Sequence, residues 1–175
     1  MTDGSALQQI RQADLHARSA ELVVDGQSLL VAHIHIHSVE PILDVRMAPG
    51  HGQAIGTLQL GDNRWPVYCL DADLNILGNV PAARRACVLL KSDRGGVGIL
   101  CDEVSVVDNA ALTMVPVPGC MSGGQSLMDS LAIVDGKVTC VLEADRLSAM
   151  LRSATLPSEM ADEDLQALAP PAGER

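Results

Sequence analysis

The chain has no phenylalanine and only one tryptophan and one tyrosine among its 175 residues, so aliphatic side chains must fill its core. Hydrophobic residues still make up 47% of the sequence, which favours many thin layers of Val, Leu, Ile, Ala and Met. The same scarcity removes the stacking platforms that hold single-stranded nucleic acid. Basic residues are few: 12 Lys and Arg against 22 Asp and Glu leave a formal net charge of −10, which argues against binding to a phosphate backbone. No run approaches the ~20 apolar residues of a membrane span. Residues 1–20 carry charges where a secretory leader needs an apolar stretch. The expectation is a soluble, acidic, cytoplasmic protein with neither nucleic acid nor bilayer as a direct partner.

Cys69, Cys87, Cys101, Cys120 and Cys140 are odd in number and contain no Cys-x-x-Cys pair. Three of them sit inside apolar, strand-like runs, so free, reduced, buried thiols are expected. The length allows one well-buried domain or two small intimate ones, but not two independent globules.

What is present centres on residues 95–107, GGVGILCDEVSVV. The apolar run 86–90 (ACVLL) precedes it across a charged, glycine-rich link, which predicts an antiparallel hairpin. Val97, Ile99 and Cys101 fall on one face, and Gly98 and Leu100 on the other are not polar, so both faces should be covered. An acidic pair, Asp102-Glu103, then gives way to Val104, Val106 and Val107. A strand buried on both sides of such a mark suits a small closed barrel that bends past a rim.

Earlier in the chain, residues 6–21 have weak helical periodicity, and Asp25-Gly26 punctuates two short apolar runs, 22–24 and 29–31. In residues 32–43, AHIHIHSVEPIL, alternation predicts an extended segment with His33, His35 and His37 on one face. Three imidazoles so placed could reach one Zn²⁺. Nothing nearby clearly supplies the further ligands, and a polar strand face is the alternative. Residues 44–53 read as loop. Strands are expected over 55–60 and 64–70 with a turn at 61–63, and Pro66 requires an edge or a bulge at its position. Asp71 is placed to cap a short helical turn over 72–77. Beyond the central hairpin lie a proline-marked extended stretch at 112–119 and a glycine-rich link at 120–126. Two strands, 131–134 and 138–142, are joined at Asp135-Gly136, and a closing helix runs from 143 to 151. The acidic tail includes a helix expected from Ser158 to Leu168.

In this order the pieces resemble the CheW-like domain of bacterial chemotaxis coupling proteins, from about Ala32 to Leu151. Val39, Ile42 and Leu43 are similar to the family's opening turn, and Pro66-Val67 to its valine-proline-valine strand. GGVGILCDEVSVV is similar to its glycine–apolar–apolar–aspartate–x–valine run, and DGKVTCVLEADRLSAML to its last strand and helix. The resemblance implies a mainly β fold of two small five-stranded barrels packed together, with N- and C-terminal helices. The expected division is an N-terminal extension (1–21), the CheW-like domain (22–152, second barrel roughly 84–135) and an acidic tail (153–175). It also implies a non-enzymatic adaptor in a chemosensory two-component system, without a cofactor. Its partners would be a CheA-type histidine kinase regulatory domain, the cytoplasmic tip of a chemoreceptor and other CheW-like proteins, at receptor arrays reached through those partners. By position, Val39, Glu40 and Ile42 match receptor- and kinase-facing surface, and Val104 and Val106 match the contact face of the second barrel. Gly61-Asp62 stands where the family usually carries an arginine-glycine pair, replacing basic with acidic character. The family's long first strand is shortened here to 22–24 or missing, which would leave one barrel open along a side. The same fold also suits an accessory localisation or dimerisation role.

Catalysis has little support. Gly95-Gly96-Val97-Gly98 precedes a strand, so it lacks the helix N-terminus that would hold a phosphate. Cys120 and Ser122 lie in a glycine-rich link with no motif to fix a base beside them. The acids Asp71, Asp73, Glu143 and Asp145 read as caps and solvated faces.

Overall fold

The computed structural model describes residues 18–48, 53–93, 95–107, 112–117 and 127–154. Strands β1 (Ser19–Val24) and β2 (Gln27–Ala32) form a hairpin, and a 3-10 turn, His33–His35, leads into β3 (Ile36–Pro41). A second 3-10 turn, Ile42–Asp44, precedes the short β4 (Arg46–Met47). β5 (Gly56–Leu60) and β6 (Asn63–Leu70) pair, β7 (Ile76–Leu77) returns onto β6, and β8 (Ala86–Leu90) pairs with β9 (Val97–Cys101). Then come β10 (Glu103–Val107), β11 (Thr113–Pro116), β12 (Met128–Val134), β13 (Lys137–Leu142) and helix α1 (Ala144–Ser153).

The fold is mainly β, as expected, in two curled sheets. One has six strands in the order β10-β1-β2-β13-β12-β11. The other has seven, in the order β3-β8-β9-β6-β5-β4 with β7 beside β6. These counts exceed the expected five per barrel because β4, β7 and β10 extend the sheets at their margins. The expected second barrel at 84–135 also does not match the division. β8 and β9 stay in the seven-stranded sheet, while β10 to β12 join the other. The chain crosses between sheets at Asp102, whose amide donates to the Val23 carbonyl (2.8 Å).

Local sequence explains most of the hairpins. Asp25 and Gly26 take φ of 49° and 78°, and Asp135 and Gly136 take 48° and 76°. Positive φ at both central residues is the two-residue turn whose twist matches that of paired strands. The central hairpin has the expected antiparallel register, Ala86 opposite Cys101 through Leu90 opposite Val97. Gly96 sits so close beneath the Trp65 ring that a Cβ there would lie 1.8 Å from a ring carbon, so only glycine fits without moving the ring.

Three apolar clusters form the interior. Val67, Cys69, Cys87, Leu89 and Leu100 fill the seven-stranded sheet, with Trp65 at their margin. Leu30, Ala32, Val107, Leu112, Ala132 and Val141 fill the six-stranded one. A third cluster is shared: Leu22, Val24 and Val31 meet Tyr68, Val88, Leu90 and Ile99, sealed by Leu147 and Leu151 of α1.

Several expectations are corrected. The N-terminal helix was placed over 6–21, but Ser19–Val24 is strand, because its apolar residues pair between β2 and β10; residues 1–17 lie outside the described residues. The first strand, expected at 22–24 or missing, spans six residues and is paired along both sides, by β2 and by β10. β6 is an interior strand, yet its ladder with β9 begins only at Val67, so Pro66 faces no lost hydrogen bond there. Residues 72–77 do not form a helical turn. The Asp71 carboxylate accepts from the Asp73 amide (2.9 Å), the Asn75 amide (2.8 Å) and Asn75 Nδ2 (3.0 Å). That side-chain bonding replaces the helical pattern, as Asx turns do, and it holds the Asp71 carboxyl below its usual pKa. The closing helix is present. The glycine-rich link at 120–126 and the tail helix at 158–168 lie outside the described residues.

Candidate functional site

The predicted partner-facing residues lie on both sheets. β3 ends the strand order of its sheet and pairs only with β8. It alternates between half-buried and exposed positions, so Val39 points outward, 47% exposed, and Glu40 opposite Cys87 is half-buried. Pro41 ends the strand, and the following turn directs Ile42 onto the sheet's own cluster while Leu43 is 91% exposed. Ile42 is therefore more a packing residue than a contact residue. Ile34 and Met47 are also exposed, which makes residues 34–47 rich in uncovered apolar side chains.

Gly61 and Asp62 form the tip of the β5–β6 hairpin. Both are exposed, and the Gly61 carbonyl accepts from Gln59 Nε2 (2.7 Å). They share a sheet with Val39, but β8 and β9 separate β3 from β6 in its order. Val104 and Val106 belong to β10, at an end of the other sheet. Val104, opposite Leu22, packs against the shared cluster, whereas Val106, opposite Ala20, is 77% exposed. The seven residues are thus divided between the two sheets and do not come together as one site. Leu43, Met47 and Val138 are exposed apolar residues not among those expected to face a partner; for Leu43 the available signal was its place in the turn two residues after a proline-ended strand.

The histidine alternative does not keep its geometry. His33 and His35 lie in a 3-10 turn, which breaks the two-residue alternation that put three imidazoles on one face. His37 stacks on Trp65 instead, with ring centroids 5.0 Å apart and planes at 26°. No group of three or more His, Cys, Asp or Glu side chains among the described residues is arranged to hold a metal ion. Cys120 and Ser122, the candidate nucleophiles, lie outside the described residues. Cys69, Cys87, Cys101 and Cys140 are free thiols. Burial pushes Cys87 and Cys101 up to about 12 and also raises Cys69, against which Arg84 acts in the lowering direction. Cys69, Cys87 and Cys101 are unreactive, structural thiols, whereas Cys140 is half-buried.

The strongest electrostatic feature lies between the sheets. Arg84 is almost wholly buried, and its Nη1 donates to Asp25 Oδ1 (2.9 Å) and to Asp102 Oδ1. Nη2 donates to the Leu70 carbonyl (2.6 Å), and Asp102 Oδ2 accepts from the Asp25 amide (2.9 Å). Burial works against the guanidinium charge, but hydrogen bonds to the two aspartates prevail and raise its pKa further. An open groove of about 650 Å³ lies elsewhere, between Leu74, Ile76 and Leu77 on one side and Met150 and Ala154 at the end of α1 on the other.

No helix among the described residues is long and apolar enough to cross a membrane. No curated protein matches the chain. Among solved structures, the scaffolding protein TtCheW from Thermoanaerobacter tengcongensis matches 74% of this chain and 90% of its own at 15% identity, with a TM-score of 0.58, a likeness of fold. A family model for the CheW-like domain matches residues 22–152. That span takes in both curled sheets almost entire, and the chain therefore belongs to the CheW-like domain family, a scaffold and adaptor family of bacterial chemotaxis.

Proposed function

We propose that the protein is a non-catalytic adaptor that links the regulatory domain of a CheA-type histidine kinase to the cytoplasmic tip of a chemoreceptor, working in the cytoplasm at receptor arrays. Val39 and Glu40 on β3, with the 3-10 turn around Ile42 and the Gly61-Asp62 hairpin tip, offer one docking surface. Val104 and Val106 on β10 offer the other, and further CheW-like proteins are candidate partners for either. The observation that carries this reading is the distribution of uncovered apolar side chains. Val39 and Val106 are exposed on outermost strands of two different sheets, and an adaptor needs two surfaces that can be occupied at once. Val39 shares residues 34–47 with exposed Ile34, Leu43 and Met47, and a gathering of uncovered apolar side chains, rather than a lone valine, is what marks a partner surface.

Untagged purification from the native host, with bound proteins identified by mass spectrometry, tests the proposal. A chemotaxis-type kinase, a receptor or another CheW-like protein should co-purify. Val39→Asp should remove one of these partners while stability stays within about 1 kcal/mol. Unfolding of that variant would make Val39 a core residue and remove the β3 surface from the proposal.

A further inference from the structure

Arg84 is buried where the two sheets meet, and its partners come from both sides of that junction. Asp25 is the turn of β1–β2 in the six-stranded sheet, the Leu70 carbonyl ends β6 in the seven-stranded sheet, and Asp102 is the crossing point between them. We propose that Arg84, Asp25 and Asp102 form a latch that fixes the angle between the two sheets, and that its release lets them shift about Asp102 while each keeps its own fold.

Three observations carry this. First, the cluster shared by the two sheets is aliphatic apart from Tyr68 and Cys101. Apolar burial is non-directional, so this layer holds the sheets together more firmly than it sets their angle. Directional bonds set it, and at the Asp102 end of β9 they are those to the planar Arg84 guanidinium; at the other end Ser148 Oγ and Arg152 Nη2 of α1 donate to the Gly95 (2.8 Å) and Gly96 (3.1 Å) carbonyls, a second tether that stays in place when Arg84 is released. Second, the network is a poor device for stability alone. Arg84 Nε has no hydrogen-bond partner, and an apolar side chain of similar size would serve stability about as well as a buried ion pair. Third, two backbone-amide bonds join the sheets in one short region, the Asp102 amide to the Val23 carbonyl and the Asp25 amide to the Asp102 carboxylate, and both involve residue 102. A few residues at the end of an element that absorb the change are what a hinge requires. One consequence rests on the adaptor reading. Val39 and Val106 belong to different sheets, so the latch would set the spacing between the two docking surfaces. The latch itself does not depend on that reading.

The test uses the full chain without partners, so its failure is separate from any failure of the adaptor reading. Spin labels at Arg64→Cys on β6 and Lys137→Cys on β13, in a background with Cys120→Ser and Cys140→Ser, report the distance between sheets by pulsed electron resonance. Arg84→Met and Asp102→Asn should broaden or shift a narrow distribution. In both variants the Asp25 and Asp102 amides should exchange with solvent about tenfold faster or more, while Val88 and Ile99 keep their protection, as local opening requires. An unchanged distribution, or exchange that rises equally at Val88 and Ile99, would overturn the proposal. If Arg84→Met does not fold, Asp102→Asn and Asp25→Asn, both altered at partly exposed carboxylates, decide the matter alone.

Discussion

β9 and β10 are neighbours in sequence, separated only by Asp102, yet they end in different environments. All five residues of β9 are buried, whereas only Val107 of β10 is. Composition accounts for part of this, since β10 carries Glu103 and Ser105 where β9 has no polar residue, but not for the exposure of Val106. Position does. β9 has β8 on one side and β6 on the other, and its faces serve two clusters: Leu100 the interior of its own sheet, Val97, Ile99 and Cys101 the shared layer. β10 ends the other sheet and pairs only with β1. The residue between them decides which sheet the chain serves next, and an aspartate bonded to Arg84 and Val23 at that point holds the crossing.

The contrast is sharpest in a matched pair of truncations. Leu100→Ala removes a fully buried side chain packed among Val67, Cys87 and Leu89. Urea denaturation should show a loss of about 2–5 kcal/mol. Val106→Ala on the neighbouring strand should stay within about 0.5 kcal/mol. Equal losses at the two positions would mean that β10 is covered as thoroughly as β9.

The thiols give a smaller contrast that pH can read. Cys87 and Cys101 have folded-state values pushed up to about 12 by burial, against an ordinary value of 9.0. The unfolded chain therefore gives up these protons from about pH 9, and the folded chain holds them until about pH 12. Stability should be level below pH 9, fall as the pH rises from 9 to 12, and level again above that range. Alkylation with iodoacetamide at pH 8 should likewise leave both cysteines unmodified until the protein is unfolded. Rapid modification of Cys101 in the folded protein would show that the end of β9 is open to solvent.

Much of this arrangement is legible in the sequence, and the failures share a cause. The β8–β9 hairpin and the Asp25-Gly26 and Asp135-Gly136 turns follow from local signals strong enough to act alone: apolar runs, glycine-rich links and an Asp-Gly pair. The crossing at Asp102-Glu103 was readable as a bend past a rim, but the burial expected beyond it was not borne out at Val106, because exposure depends on which strand is outermost. The histidine stretch misled because strict alternation is also compatible with a 3-10 turn, and His37 found Trp65, a residue distant in sequence. Ser19, Ala20 and Glu21 fall at the end of the weakly periodic stretch 6–21, and pairing on both sides makes them strand with 22–24. Arg84 left no local trace at all. In sequence it is one of two adjacent arginines in an unremarkable link, and its role appears only when Asp25 and Asp102 are brought beside it.

Val106→Asp should also change stability little, and it bears most directly on whether the two sheets carry separate surfaces. Val106 is 77% exposed on an outermost strand, so a carboxylate there stays in water and is not desolvated. The cost comes from the lower strand propensity of Asp, about 0.5 kcal/mol. If β3 and β10 serve different partners, Val106→Asp should weaken binding of one partner and spare the other, and Val39→Asp should do the reverse. Isothermal titration with each partner recovered from the native host measures both. Loss of the same partner in both variants would mean that one protein spans both sheets. The angle between the sheets would then be set by that partner as well as by Arg84, and a chain already latched at the right angle would bind it with less ordering to do.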